Sequence, residues 1–177
     1  MKILRIRINH QSHLLQVLEI QSQNHIHVIQ ESKRSKGFVM FLSPPSYFAE
    51  PQFTCFVAES NFLIVDGYIM ITPANETFGN HVLSLLQEKA KEALLSLAQA
   101  VFIAQVCIKD ECRGKGIGKA LYEHVFIDMK RRDYKCIITE VDAKNMASLK
   151  FHQSLGFESV LKYSTDGREF CVIKKDL

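Results

Sequence analysis

An apolar run at residues 101–108 passes directly into a charged, glycine-rich turn and then into an amphipathic helix. No other stretch limits the possible folds as much. The run is apolar at every position except Gln105, a composition that suits a strand covered on both faces. Such a strand belongs inside a layered sheet and not in an isolated hairpin. The helix, residues 116–132, gathers Leu121, Tyr122, Val125, Phe126 and Met129 on one stripe. Lys130, Arg131 and Arg132 sit at its C-terminal end, where the helix dipole favours cations. Strand, turn and helix in this order make the chain a mixed α/β protein.

The remaining elements agree. Residues 3–8 alternate apolar and charged positions and predict a strand. Ser12 is placed to cap a helix through Gln21, with Leu14, Leu15, Val17 and Leu18 facing inward. Residues 24–46 are less regular, carry the basic run Lys33-Arg34-Ser35-Lys36, and end at Pro44-Pro45. That basic run reads as a solvated turn. Residues 53–58 and 62–71 predict a hairpin with a bulge at Asp66-Gly67. Helical spacing returns at 81–95, within a longer insert of residues 77–97. A strand at 136–141, a helix at 145–155 closed by Gly156, and a hairpin of 157–163 with 169–174 complete the series. No linker or repeat divides it, so residues 1–177 are expected to form a single domain.

Composition removes several functional classes. Twenty-two basic against 19 acidic residues leave a net charge of +3, which argues for neither nucleic acid nor an anionic membrane as partner. The five cysteines, Cys55, Cys107, Cys112, Cys136 and Cys171, are odd in number and lack C-x-x-C spacing. Neither a disulfide framework nor a zinc site is expected, and no metal. The histidines His10, His13, His25, His27, His81 and His124 show no ligand spacing, and His25 and His27 read as surface residues. The most apolar stretch, 93–108, is broken by Ser96, Gln99 and Gln105, short of a membrane span of about 18 clean residues. A cytoplasmic protein is the expectation.

The chemistry concentrates in Arg113-Gly114-Lys115-Gly116-Ile117-Gly118-Lys119. Glycines at a helix start let backbone approach a ligand closely, and unpaired N–H groups with the helix dipole suit phosphate. The residues do not form a Walker A loop, because Ala120 follows Gly118-Lys119 and Arg113 stands where the first glycine is required. They also miss the dinucleotide pattern by one residue, at Gly118. A nucleotide hydrolase is thereby disfavoured. What the stretch does match is Arg-x-x-Gly-x-Gly, at Arg113, Gly116 and Gly118. A second pattern follows, from Asn145 through Ser148 and His152 to Gly156-Phe157, after the strand Ile137-Ile138-Thr139-Glu140-Val141.

In these two motifs the chain resembles the GCN5-related N-acetyltransferases, the GNAT family, over about residues 99–174. The resemblance implies an acyl-CoA N-acyltransferase fold, a mixed and mostly antiparallel splayed sheet flanked by helices. It implies acetyl-CoA as acetyl donor and a small-molecule or peptide amine as acceptor. The cofactor-binding residues it implies are Val106, Cys107, Ile108, Arg113, Gly114, Lys115, Gly116, Ile117, Gly118, Lys119, Asn145, Ser148 and His152. His152 stands where the family often has a tyrosine that protonates the departing thiolate, and is the candidate acid, as imidazole or imidazolium, with a polar cap over the cofactor sulfur and no proton transfer as its other reading. Glu140 is the nearest candidate base, with a structural carboxylate as its other reading. Gln105 lies where relatives often place an acid and cannot itself act as a base. The insert at 77–97 departs from the family pattern and bears on the acceptor side. A domain that binds coenzyme A without turnover is the alternative. Phe157, Val160 and Leu161 of the closing hairpin offer a surface for a homodimer.

Overall fold

The computed structural model describes residues 1–74 and 99–177, apart from the side chain of Phe62. The helix expected within 77–97 lies outside the described residues. Seven strands form one sheet in the order β1-β2-β3-β4-β5-β7-β6. They are β1 (Lys2–Ile6), β2 (Thr54–Glu59), β3 (Val65–Pro73), β4 (Ala100–Ile108), β5 (Cys136–Asp142), β6 (Glu158–Thr165) and β7 (Arg168–Asp176). All neighbours are antiparallel except β4 and β5. Among the described residues three α-helices accompany them: α1 (Gln11–Gln23), α2 (Ile117–Arg131) and α3 (Met146–Ser154).

Alternation of side chains across the sheet sorts the core into layers. On one face Phe56, Ile69, Ile103, Ile137 and Ile173 pack against Leu121, Tyr122, Val125 and Met129 of α2. On the other, Cys55, Val57, Tyr68 and Met70 meet Leu14, Val17 and Ile20 of α1. The buried stripe of α1 is therefore His13, Leu14, Val17, Ile20 and Gln21, with Leu18 packed beside it; of the expected residues Leu15 alone turns away. Leu15 points to solvent, 67% exposed, because it is rotated about 100° from Leu14 around the helix axis. His13 faces inward because its Nε2 lies 2.6 Å from the Glu59 carboxylate, tying α1 to β2. Ser12 does not cap the helix; His10 occupies the N-cap position and its side chain bonds the Arg7 N–H instead.

The bulge expected at Asp66-Gly67 is present: Ala58 pairs with Gly67 and Glu59 with Val65, leaving Asp66 as the extra residue. Gly67 is there for space. A Cβ on it would lie 2.4 Å from the Ile108 side chain and 3.0 Å from the Cys107 carbonyl. Gly67→Ala is expected to destabilise the fold by about 1–3 kcal/mol through overpacking, read as a lowered midpoint in chemical denaturation.

A second bulge was not foreseen and matters more. Met70 pairs with Gln105 but Ile71 with Ile103, so Ala104 has no partner on β3. Ala104 is also the exposed residue in a strand expected to be covered on both faces. At the same point β4 parts from β5, whose parallel pairing stops at Ile103 with Thr139. The Thr139 hydroxyl donates to the Ile103 carbonyl at 3.0 Å, closing the ladder with a side chain. A bulge bends the strand that carries it. Beyond it, the β5-facing edge of β4 has no strand partner among the described residues.

Candidate functional site

The parting of β4 and β5 opens a slot of about 590 Å³. Twelve of the thirteen cofactor-binding residues expected from the sequence line it; Lys115 does not. Val106, Cys107 and Ile108 form the open strand edge, the glycine turn and α2 one end, and Asn145, Ser148 and His152 of α3 another side.

The turn is built for an anion. Gly114 and Gly116 have φ of +76° and +79°, conformations that side chains resist, and a Cβ on either would meet nothing within 4 Å. The first bond of α2 runs from the Ala120 N–H to the Gly116 carbonyl, so the preceding N–H groups have no acceptor within the helix. They point their partial positive charge toward the slot. Gly118 serves packing: a Cβ there would come 3.1 Å from the Phe151 ring, so its absence lets α3 approach α2. Asp66 anchors the turn from below. Its carbonyl accepts from the Lys109 N–H at 2.9 Å and its carboxylate from the Cys112 thiol at 3.5 Å.

His152 is 2% exposed. Its Nδ1 lies 2.7 Å from the Ser148 carbonyl, which can only accept, so Nδ1 carries the proton. Nε2 then accepts from the Tyr122 hydroxyl at 2.5 Å. Tyr122, fully buried among Phe126, Phe151 and Phe157, has its own ionisation pushed well up by burial. Burial likewise pushes the His152 pKa down to about 4. The ring is neutral at pH 7, and both nitrogens are engaged. A charged imidazolium ring does not fit this environment.

The two thiols lining the slot are protonated as well. Burial pushes Cys107 up to about 11, and burial with the Asp66 carboxylate raises Cys112. Neither is a ready nucleophile.

Arg113 and Asn145 line the slot but spend their polar groups on the protein. Asn145 Oδ1 caps α3 by accepting from the Ser148 N–H, and its Nδ2 donates to the Phe38 carbonyl at 3.1 Å. Arg113 donates to the carbonyls of Ile108, Lys36 and Gly37 and to Asn24 Oδ1. Lys36, Gly37, Phe38 and Val39 thereby become a wall of the slot, which the sequence did not suggest. Gly37, at φ +101°, was the available signal.

Glu140 does not line the slot. It is the first residue of β5 beyond the pairing with β4, half-buried, and the Tyr163 hydroxyl of β6 bonds its carboxyl group. Gln105 is buried between the Tyr68 hydroxyl at 2.5 Å and the Phe41 carbonyl at 2.6 Å. Phe157 is in the core against α2, so of the expected dimer surface only Val160 is well exposed, at 41%. No cluster of three or more metal-ligating side chains occurs among the described residues.

Comparison with known proteins extends the picture. The model described as the acetyltransferase (GNAT) family matches residues 14–157. The [ribosomal protein bS18]-alanine N-acetyltransferase of Escherichia coli strain K12 is 29% identical over 97 residues, 50% of this chain and 66% of the relative. The match thus spans just under two thirds of that relative's length. The crystal structure of a ribosomal-protein-alanine N-acetyltransferase from Brucella melitensis superposes with a TM-score of 0.67 at 20% identity, covering 100% of both chains. That of the NatC complex bound to Gag peptide and CoA gives 0.65 at 15% identity, covering 100% of this chain and 99% of the other.

Proposed function

Because the chain belongs to the acetyltransferase (GNAT) family, we propose that it is an N-acetyltransferase. It moves an acetyl group from acetyl-CoA to a primary amine of a small molecule or peptide, by direct attack in a ternary complex. The observation that carries this reading is the slot between β4 and β5, open along one strand edge and lined by the glycine turn and His152. Protonated Cys107 and Cys112 favour direct transfer over a thiol-bound intermediate.

The donor brings an activated thioester; the chain supplies binding, orientation and a proton acceptor. The free N–H groups of the glycine turn take the pyrophosphate. The unpaired edge at Val106–Ile108 accepts an extended arm as a further strand, and an N–H of that edge polarises the carbonyl. Glu140 lies outside the slot's lining, one residue past the last β4–β5 pairing, and we assign it the amine's proton on the basis of that position at the fork. The names of the relatives support a peptide amino terminus among the acceptors. All five cysteines are free and no helix among the described residues is long and apolar enough to cross a membrane, which favours a cytoplasmic setting.

The test is release of free thiol from acetyl-CoA across a panel of amines that includes alanine-initiated peptides. Release with some acceptors and not others is expected. Tight acetyl-CoA binding with no release on any acceptor would overturn the reading in favour of a non-catalytic coenzyme A sensor. Gly116→Asp is expected to weaken acetyl-CoA binding by at least about 2 kcal/mol in calorimetry, since it sets a carboxylate where N–H groups meet phosphate. Folding should survive: the added side chain enters open space, and holding a non-glycine residue at φ +79° costs only about 1–2 kcal/mol.

A further inference from the structure

Residues 24–53 join α1 to β2, and residues 36–41 within them form a strap whose first four residues wall the slot. Six consecutive carbonyls of this strap are all paired. Lys36 and Gly37 accept from Arg113, Phe38 from Asn145, and Val39 from the Ile26 N–H. The Met40 carbonyl is paired with His25 Nε2 and that of Phe41 with Gln105. A connecting loop normally leaves such groups to water. Here they are pinned, and the pins include Arg113 and Asn145, whose chain positions mark them as cofactor residues.

We propose that Arg113 is a positioning residue for the wall of the slot, acting through the strap and supported from beneath by Asn24. This rests on the acetyl-transfer reading for its effect on acetyl-CoA binding, though not for its structural one. The geometry is specific to guanidinium. Nε reaches the Ile108 carbonyl at 3.3 Å on the open strand edge, Nη1 the strap, and Nη2 Asn24 Oδ1 at 2.5 Å. One planar group thus joins β4, the strap and the end of α1. A lysine ammonium at the same place has no planar fork to span them. Asn24 does not line the slot, so an effect of its substitution cannot come from lost contact with the donor. It also holds the strap by backbone, accepting from the Val39 N–H at 3.0 Å. At the last pin and just past it, Phe41 and Leu42 stand 69% and 50% exposed, so their side chains add little packing to hold the strap.

The experiment compares Arg113→Lys, Arg113→Ala, Asn24→Ala and Asn24→Asp. Hydrogen exchange at the Ile26 and Val39 amides, which bridge α1's end to the strap, requires no substrate. It should accelerate at least tenfold in both Arg113 variants and in Asn24→Ala. Asn24→Asp keeps the acceptor oxygen, loses the donor to the Ile20 carbonyl, and should stay near wild type. Acetyl-CoA affinity should fall at least threefold in Asn24→Ala as well as in both Arg113 variants, because the strap walls the slot. If Arg113→Lys and Asn24→Ala keep wild-type exchange and affinity while Arg113→Ala alone loses acetyl-CoA affinity, Arg113 is a phosphate ligand and the proposal is wrong. Unchanged exchange in Asn24→Ala would also overturn it. Should no amine support thiol release, acetyl transfer fails, and the exchange arm still decides whether Arg113 holds the strap.

Discussion

Glu140→Gln is expected to lower kcat by roughly 10²–10⁴, the range for loss of a positioned general base, with acetyl-CoA affinity almost unchanged. The substitution keeps the size of the side chain and its bond from the Tyr163 hydroxyl, so stability should move little. What it removes is the capacity to take a proton from the attacking amine. The loss should shrink as pH rises toward the acceptor's own pKa, because more amine then arrives already neutral. A pH-independent decrease of less than tenfold would return Glu140 to a structural carboxylate on β5.

The second large effect concerns His152 and acid. Its pKa is about 4 in the folded chain against an ordinary 6.5. Between these values the unfolded chain binds a proton that the folded one does not, so unfolding gains as pH falls through this window. Below about pH 4 both states are protonated and the loss levels off. The expected destabilisation between pH 6.5 and 4 is about 3 kcal/mol from this ring alone. Thermal melts across that range should show it, and His152→Phe should flatten the dependence. His152→Phe alone leaves the Tyr122 hydroxyl buried without a partner, at about 1–3 kcal/mol; adding Tyr122→Phe should recover much of this. On catalysis, His152→Phe should cost less than about tenfold in kcat, since a neutral ring with both nitrogens bonded is a contact beside the thiol and not its acid. A loss of a hundredfold or more would restore the acid role.

Where the determinants are local, the sequence could be read directly. The glycine turn and the Asn145-to-Gly156 helix declare themselves because turn geometry and capping are written in neighbouring residues. Glu140 and His152 were nameable as candidates for the same reason. Their environments were not: the state of His152 depends on Tyr122, 30 positions away. The bulge at Ala104 carries no glycine or proline, and coincides with the point where Thr139 of β5, 35 positions away, closes the ladder. The use of Arg113 depends on Asn24 and Lys36, 89 and 77 positions away. Leu15 was misassigned because four apolar residues in five invite a broad stripe, whereas His13 claims the inward position by pairing with Glu59.

The early end of the β4–β5 ladder has a mechanical consequence. Among the described residues four strand rungs, from Ala100–Cys136 to Ile103–Thr139, join the leaf β1–β4 to the leaf β5–β7, while each leaf is internally joined by longer seams and α2 packs across both. So short a seam is the weakest line within the sheet itself, where strand separation would tear first. An extended molecule lying along the open edge would act as basting thread across that tear. Its grip would depend on backbone and not on side-chain identity, leaving both leaves free to diverge in sequence while the fastening stays the same.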